Sequence, residues 1–291
     1  MNYTRPSANY IRASVAGGYL SFQTGGTNER LKVNDDGINV TGELRSAQST
    51  AAANAFSAGI LAGVTTQGTS AVAVGHLAGN ATQGENAVAV GTSAGTTTQG
   101  LNSVAVGRSA GQTTQGANSV AVGREAGAGT QGSSSTALGY RAGQTSQNNS
   151  ATAVGTYAGN ISQGVAATAI GNQAGLTGQL ASATAVGSYA GSSAQGTQAT
   201  ALGNSAGQTS QGTRGTAVGY KAGQVAQGTN ATAIGDQAGL SGQGAYSIAI
   251  GRAAATADQG AYGVVINATG GALNDTSAGH IHLASNAGEL K

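Results

Sequence analysis

The apolar positions of residues 59–262 follow one sixteen-residue pattern without an insertion or a deletion. In each unit a run of small and aliphatic residues ends at a glycine, and a glutamine follows that glycine eight positions later. One unit reads Ser103-Val-Ala-Val-Gly-Arg-Ser-Ala-Gly-Gln-Thr-Thr-Gln-Gly-Ala-Asn118. A short period that never slips is typical of a solenoid, in which each unit forms one coil and stacks on the next. The pattern therefore predicts a rod.

The run before each glycine predicts a short β-strand. The residue directly before the glycine is Val, Leu or Ile, the next one back is alanine, and the third is Val, Thr or Ile. Since successive side chains of a strand point to opposite faces, one face carries the large residues and the other carries alanine, with no charge on either. Such a strand is buried on both faces. One thin coil covers only one of them, so we expect the chain to associate with copies of itself.

Two assignments of these faces are open. In the first, which we favour, the large residues fill the coil and the alanine column packs closely against a neighbouring chain. In the second, alanine lies inside and the large residues face outward. The first assignment makes the alanine column the candidate for packing between chains: Ala73, Ala105, Ala137, Ala169, Ala201 and Ala233.

Two further sets of positions recur in each repeat: the glutamine, and the two variable residues after the strand glycine. We expect the glutamines to be semi-buried and their amides to hydrogen-bond from coil to coil, as in cross-β ladders. The variable pair is predicted to face solvent. Tyrosines with basic neighbours can stack on sugars or pack against a protein partner, although scattered tyrosines also decorate many surfaces. The candidates for receptor contact are Tyr140, Arg141, Tyr157, Tyr189, Tyr220 and Lys221.

The sequence outside the repeats divides into three segments. Residues 1–46 alternate at 19–24, 30–33 and 38–40 between turn signals, which predicts a small β-meander that serves as an attachment region. Residues 47–58 are rich in Ala and Ser and predict a linker or a short helix. Residues 263–291 depart from the repeat and predict a cap or tip with one or two further strands.

Two stretches resemble known families. The stretch Gly17-Gly-Tyr-Leu-Ser-Phe-Gln-Thr-Gly-Gly-Thr-Asn-Glu-Arg-Leu-Lys-Val-Asn-Asp-Asp-Gly37 resembles a segment that precedes the shaft of bacteriophage tail fibres. The Asn-Ser-Val-Ala-Val-Gly strings at 102–107 and 118–123, each followed by an Ala-Gly corner, resemble the head repeats of YadA-type trimeric autotransporter adhesins. The second resemblance implies an all-β parallel solenoid, a left-handed β-roll that assembles as a homotrimeric rod. The repeat here is longer than the usual adhesin one.

Composition and charge exclude several function classes. The 291 residues include 51 glycines and no cysteine, so the chain has no disulfides. A composition this poor in large apolar residues leans toward disorder, but the strict period overrides it. The net charge of +2 provides no concentrated basic surface, so we expect no nucleic acid partner. No apolar stretch predicts membrane insertion, and the N-terminus shows no secretory signal.

The repeats offer little that predicts an enzyme. Their four acidic residues are dispersed, and no pair has the placement that glycoside hydrolysis requires. We expect Glu125 and Arg124 to form a solvated surface pair. The acidic residues are Glu85, Glu125, Asp236 and Asp258.

The one candidate metal site lies near the C-terminus. In an extended segment His280 and His282 project to the same face, so three chains around an axis would present six imidazoles. Imidazole suits iron, nickel or zinc, and the segment resembles the His-x-His motifs of T-even bacteriophage long-tail-fibre tips, which bind iron. The alternative is a strand end with two exposed histidines. No cofactor is otherwise required.

These observations favour a structural and receptor-binding tail fibre of a bacteriophage particle. Its expected partners are two further copies of itself, another virion protein at the N-terminus and a host surface glycan or protein. We expect it in the virion, after synthesis in the host cytoplasm. The alternatives are the head of a trimeric autotransporter-like adhesin and an ice-binding β-solenoid. We disfavour ice binding because the Thr column at 136–232 shares the strand face of Val, Leu and Ile.

Overall fold

The computed structural model describes residues 54–285, together with strand residues 9–14, 19–24, 31–34, 37–39 and 288–289. All regular elements in these ranges are β-strands. A membrane-crossing helix is therefore absent from the described ranges. Within the repeats the chain forms a parallel β-solenoid with one coil for each sixteen residues, which confirms the predicted fold.

The N-terminal strands form a four-stranded antiparallel sheet in chain order. Their bounds are Asn9–Ser14, Tyr19–Thr24, Leu31–Asn34 and Gly37–Asn39. The last three lie where the alternating residues predict strands. The sequence pattern does not predict the first strand, because its apolar residues do not alternate and it is identified only by its pairing with the second. Within the predicted linker or helix at 47–58, residues 47–53 lie outside the described residues.

The run before each glycine forms one long sheet along the whole shaft. Each strand pairs in register with the strand one coil further on, as Val104 does with Val120 and Ala105 with Ala121. The parallel strands are Phe56–Ala58, Val72–Val74, Val88–Val90, Val104–Val106, Val120–Val122, Thr136–Leu138, Thr152–Val154, Thr168–Ile170, Thr184–Val186, Thr200–Leu202, Thr216–Val218, Thr232–Ile234, Ile248–Ile250, Val264–Asn267 and Ile281–Ser285. A final strand, Gly288–Glu289, pairs antiparallel to the last of these.

The opposite wall of the coil, which we call the second sheet, consists of the short strands that end in the repeat glutamine. Six of them form a continuous parallel sheet, and two more pair further along the shaft. The first group is Thr66–Gln67, Thr82–Gln83, Thr98–Gln99, Thr114–Gln115, Thr130–Gln131 and Ser146–Gln147. The second group is Ser193–Gln195 and Thr209–Gln211. Elsewhere the described coils are linked on this side by isolated bridges.

The alanine columns form the interior of the coil, so the favoured assignment of the strand faces is wrong and the second assignment is correct. The strand alanines expected at a chain–chain interface have no exposed surface within a single chain. They are Ala73, Ala105, Ala137, Ala169, Ala201 and Ala233. A second buried alanine column, which includes Ala110, completes this core. The large residues of the strands therefore lie on the outer face of the long sheet.

The glutamines explain why only alanine fits inside. Gln115 is 1 % exposed, and its Nε2 donates across the coil to the carbonyl oxygen of Val104 at 2.8 Å. A Cβ added to Gly111 would lie 2.7 Å from Gln115 Oε1 and 3.3 Å from the Ala105 Cβ. Because the amide already bridges the two walls, only a methyl group fits on the inner face of the strand. The glutamines are thus fully buried rather than semi-buried.

The residue before the glutamine divides the shaft into two kinds of coil. In the coils of Gln67 to Gln147, which we call the extended coils, this residue lies in a strand of the continuous second sheet and its φ is not positive. In the coils of Gln163 to Gln259, which we call the flipped coils, it has a positive φ. The flipped residues are Ser162 (58°), Gly178 (67°), Ala194 (54°), Ser210 (55°), Ala226 (53°), Gly242 (66°) and Asp258 (38°).

The change in φ reverses a hydrogen bond between coils. The amide of Thr98 donates forward to Thr113 O at 3.0 Å, whereas that of Ala194 donates back to Thr177 O at 3.0 Å. The sequence gives the reason. Five of the six extended coils carry threonine at this position, and a β-branched residue strongly disfavours φ > 0. The flipped coils carry only Ser, Gly, Ala or Asp there, which tolerate the left-handed region better.

The predicted ladder of glutamine amides forms in only part of the shaft. It begins where Gln131 Nε2 donates to Gln147 Oε1 at 3.1 Å and continues coil by coil to Gln243. At Gln83, Gln99 and Gln115 the Nε2 groups instead bond only to backbone carbonyls. Buried Oε1 atoms without a hydrogen-bond partner occur at Gln83, Gln99, Gln115, Gln131 and Gln259.

The solenoid extends past the predicted bounds of 59 and 262. Phe56–Ala58 fills the strand positions before Gly59 and pairs with Val72–Val74. At the other end Val264–Asn267 continues the long sheet, although Asn267 stands where other coils have glycine. The Asn267 amide donates to Arg252 O at 2.9 Å and so ties down the last regular corner. The predicted C-terminal cap is therefore built on the same sheet.

Candidate functional site

The outer face of the long sheet is a continuous apolar strip. From Val72–Val74 to Ile248–Ile250, every outward side chain of its strands is Val, Thr, Leu or Ile. Several of these are substantially exposed in the single chain, among them Leu138 at 44 %, Ile170 at 40 % and Leu202 at 46 %. An exposed apolar face of this length, without a charge, is typical of an interaction surface.

The corner after the strand displays the conspicuous polar and aromatic side chains. The corner begins with a strand glycine such as Gly123, at φ 127°, whose added Cβ would lie 2.6 Å from the carbonyl oxygen of Gly139 in the next coil. The second variable residue then takes a left-handed conformation, as Arg141 (55°) and Tyr157 (57°) do. Stacking of identical corners places the side chains of successive coils one above another, about 4.8 Å apart.

Glu125 lies at the centre of a cluster on this edge. Its carboxylate accepts hydrogen bonds from Arg108 Nη2 at 3.2 Å, Arg124 Nε at 3.1 Å and Arg141 Nε at 2.7 Å. Gln144 Nε2 adds a fourth at 3.0 Å. The Glu125 side chain is only 15 % exposed, so the expected solvated pair with Arg124 is in fact a half-buried network. The bond from Arg141 is the main cause that lowers the pKa of Glu125 below its usual value.

Two tyrosines pack on these arginines. The rings of Tyr140 and Tyr157 meet edge to face, with centroids 5.2 Å apart and an interplanar angle of 77°. The Arg141 guanidinium lies 5.2 Å from the Tyr140 centroid and 5.8 Å from that of Tyr157, and Arg124 lies 5.3 Å from that of Tyr140. A hydrogen bond with Tyr157 raises the pKa of Tyr140. The structure therefore brings together three of the predicted receptor-contact residues: Tyr140, Arg141 and Tyr157.

The other candidates lie further along the same edge. Tyr189, two coils beyond Tyr157, accepts a hydrogen bond from Gln173 Nε2 at 3.3 Å. Tyr220 lies five coils beyond Tyr140, and the Lys221 ammonium stands 5.2 Å from its ring centroid. These residues are not part of the Glu125 cluster.

A groove opens beside Tyr157, between the corner and the second sheet. It has a volume of about 300 Å³ and spans two successive coils. Its lining consists of Tyr157, Asn160, Ile161, Gln173, Leu176 and Thr177. Sequence reasoning missed the last five of these, because they belong to columns where neighbouring coils carry other residue types.

A stacked tyrosine pair on the opposite corner was also not predicted. Tyr246 and Tyr262 lie with ring centroids 5.1 Å apart and an interplanar angle of 2°, and they are 52 % and 64 % exposed. Their separation of sixteen residues, the repeat period, is the sequence signal that could have identified them.

Exposed threonines form a rank on the second sheet, not on the long one. Thr66, Thr82, Thr98, Thr114 and Thr130 are exposed in five successive coils. The Thr column at 136–232 is instead half-buried on the outer face of the long sheet. The ice-binding alternative would therefore rest on the second sheet, where the rank ends after five coils.

The two candidate metal-binding histidines differ in their surroundings. His280 is exposed, and its Nδ1 lies 3.8 Å from Asp275 Oδ2. His282 pairs with Val265 and so continues the inward alanine column, while Ile281 continues an outward one and is 72 % exposed. Among the described residues of one chain, no three His, Cys, Asp or Glu side chains are grouped to hold a metal. A metal site at the tip would need ligands from several chains.

Comparison with known proteins supports the coil unit. Residues 83–110, 115–142 and 225–239 match the family described as YadA head domain repeat (2 copies). These segments cover less than half of the chain. Each of them includes at least one repeat glutamine and one strand glycine with its corner. No curated protein and no solved structure matches the chain. The repeats are thus similar to an adhesin-type head repeat.

Proposed function

We propose that the chain assembles as a homotrimeric fibre in which the outer faces of three long sheets pack around a common axis. The observation that carries this proposal is the charge-free outer face, which remains open in the single chain although its own coil already has a complete core. Burying the exposed parts of Leu138, Ile170, Leu202 and their equivalents would add about 25 cal/mol per Å² of apolar area. The similarity to YadA head repeats supports the same assembly and a left-handed winding.

The mass of the native protein tests this assembly. Sedimentation should give three times the chain mass of 27.7 kDa. Leu202→Glu places a charge on the outer face of the long sheet and should dissociate the trimer. Thr209→Glu places a charge on the exposed face of the second sheet and should leave the trimer intact. A wild-type protein that is folded and monomeric would contradict the proposal.

The fibre's role is that of an attachment structure, and we propose a bacteriophage tail fibre, without catalytic activity. The tail-fibre-like segment at 17–37 supports this choice, and the YadA-type repeat supports a fibre that contacts cells. The N-terminal strands would bind another virion protein, and the corners would meet a glycan or protein of the host surface. The alternative is an adhesin head, favoured by the family match. Immunogold labelling separates the two, since antibody should mark virion tails in the first case and bacterial surfaces in the second.

The tip metal is a separate proposal. Three chains would contribute the exposed His280 to iron or another transition metal on the threefold axis, whereas His282 lies on the inward face of its strand and away from that axis. Elemental analysis of protein purified without a histidine tag tests it. Fewer than about 0.2 ions per trimer, with an unchanged melting temperature in His280→Ala, would exclude a bound metal that stabilises the tip.

A further inference from the structure

The groove beside Tyr157 combines the parts that recognise a sugar. Tyr157 offers an aromatic wall, and Ile161 and Leu176 extend the apolar surface. Gln173 and Thr177 place an amide and a hydroxyl group along the same groove. A pyranose presents an apolar ring face and a rim of hydroxyls, so it matches a site with an aromatic wall and amide partners.

Neighbouring side chains hold the Tyr157 ring in place in the free protein. Tyr157 packs against the edge of Tyr140, and Arg141 lies over both rings. Arg141 is itself fixed by its 2.7 Å bond to Glu125, and its carbonyl oxygen accepts a bond from Asn160 Nδ2 at 2.8 Å. Asn160 is only 6 % exposed and also donates to Gln144 Oε1 at 3.1 Å. Pre-ordered side chains lose little entropy on binding, which favours affinity.

Arg141, which lies over the Tyr157 ring at the edge of the groove, belongs to a cluster whose net charge is positive. Three arginines face the single carboxylate of Glu125, and both Arg108 and Arg124 keep more than half of their side-chain surface exposed. No other charged side chain occurs between residues 86 and 213. An anionic group bound on Tyr157 would therefore meet the Arg141 guanidinium, while Arg124 and Arg108 lie one and two coils further from the groove.

We propose that this groove binds an acidic saccharide, with the sugar ring on Tyr157 and its carboxylate or sulfate toward Arg141. The inference rests on the proposed attachment function and names the class of its receptor. In a trimer the site occurs three times, so weak single contacts would add through multivalency.

Binding of a defined oligosaccharide panel tests the proposal. The probes are uronic-acid, sialic-acid and sulfated oligosaccharides, with carboxyl-reduced forms of the uronic acids as matched neutral controls. We expect the assembled full-length protein to bind at least one acidic probe more strongly than its neutral control, and less strongly as salt rises. Tyr157→Ala and Arg141→Gln should each weaken that binding about tenfold or more.

Tyr246→Ala is the matched control variant, because Tyr246 is also an exposed corner tyrosine with a positive φ of 59°. It should bind as the wild type does, and all variants should keep the wild-type circular dichroism. Binding to none of the acidic probes, equal binding to the reduced forms, or undiminished binding by Tyr157→Ala would overturn the proposal.

A cell-binding assay distinguishes failure of the proposed saccharide site from failure of the proposed attachment function. If the protein binds bacterial cells and Tyr157→Ala binds them equally well, attachment stands and the saccharide site fails. If Tyr157 is needed for saccharide binding but the protein binds no cells, the site stands and the attachment function fails.

Discussion

The extended and the flipped coils use the same frame of glycines and alanines but satisfy their polar groups differently. In the extended coils a threonine keeps the second sheet continuous, and buried Oε1 atoms such as those of Gln99 and Gln115 lack partners. In the flipped coils the peptide before the glutamine is turned over and the second sheet is mostly reduced to bridges. The glutamines up to Gln243 continue a ladder that starts at Gln131. A threonine at this position disfavours the flip, whereas serine occurs in both kinds of coil, so a small residue permits the flip and the packing between coils selects it.

Substitution of the strand glycines should cause the largest losses of stability. These losses should be equal in the extended and the flipped coils. Gly107→Ala and Gly187→Ala would each put a Cβ 2.6 Å from a backbone oxygen of the next coil, at φ 129°. We expect each to lower the free energy of unfolding by about 3 kcal/mol or more. Gly178→Ala, with its nearest atom at 3.8 Å, is the control and should cost far less. Thermal unfolding measures the stability of all three variants. A large difference between Gly107→Ala and Gly187→Ala would show that the extended and flipped coils do not depend on their strand glycines in the same way.

The glutamine ladder predicts the next largest difference. Gln195→Ala removes the Nε2 bonds to Thr184 O and, at 3.4 Å, to Ala199 O, together with two ladder bonds, to Gln179 and Gln211. Gln99→Ala removes one bond, to Val88 O, and an oxygen that has no partner. Because the two cavities are alike, Gln195→Ala should lose about 1–3 kcal/mol more stability in chemical denaturation. Equal losses would mean that the ladder contributes nothing.

The peptide flip predicts that exchanging the residue before the glutamine between the two kinds of coil changes stability in only one direction. Ala194→Thr places a β-branched residue at φ 54° and should cost about 1–2 kcal/mol. The reverse change, Thr98→Ala, retains an allowed strand conformation and should alter stability by less than about 0.5 kcal/mol. Ala194→Ser controls for the added hydroxyl. If Ala194→Thr melts like the wild type, side-chain branching does not determine the flip.

The Glu125 network lies near the junction of the two regions and predicts a small pH effect. Its bond to Arg141 holds the pKa of Glu125 below the usual 4.5. A lowered pKa contributes stability above pH 4.5 that is lost as the pH falls through the folded-state value. The melting temperature of the wild type should therefore fall more between pH 5 and pH 3 than that of Glu125→Gln. Parallel curves for the two proteins would show that the network is only a surface arrangement.

The candidate site was only partly visible in the sequence. Tyr140, Arg141 and Tyr157 stood out as unusual side chains at one position of the coil. Their approach to Arg108, Arg124 and Glu125 depends on which positions stack between coils, and the groove depends on columns that vary from coil to coil.

The sequence by itself determined the sixteen-residue coil, the strand before each glycine and the rod, because a strict period allows only one stacking register. It could not decide which strand face is the interior, since a two-residue alternation offers two equivalent choices. Tertiary structure decided it through the opposite wall, where Gln115 and its equivalents span the coil and leave space for a methyl group only. The peptide flip was likewise decided by packing, because small residues such as Ala194 permit a positive φ while coil-to-coil hydrogen bonds select it.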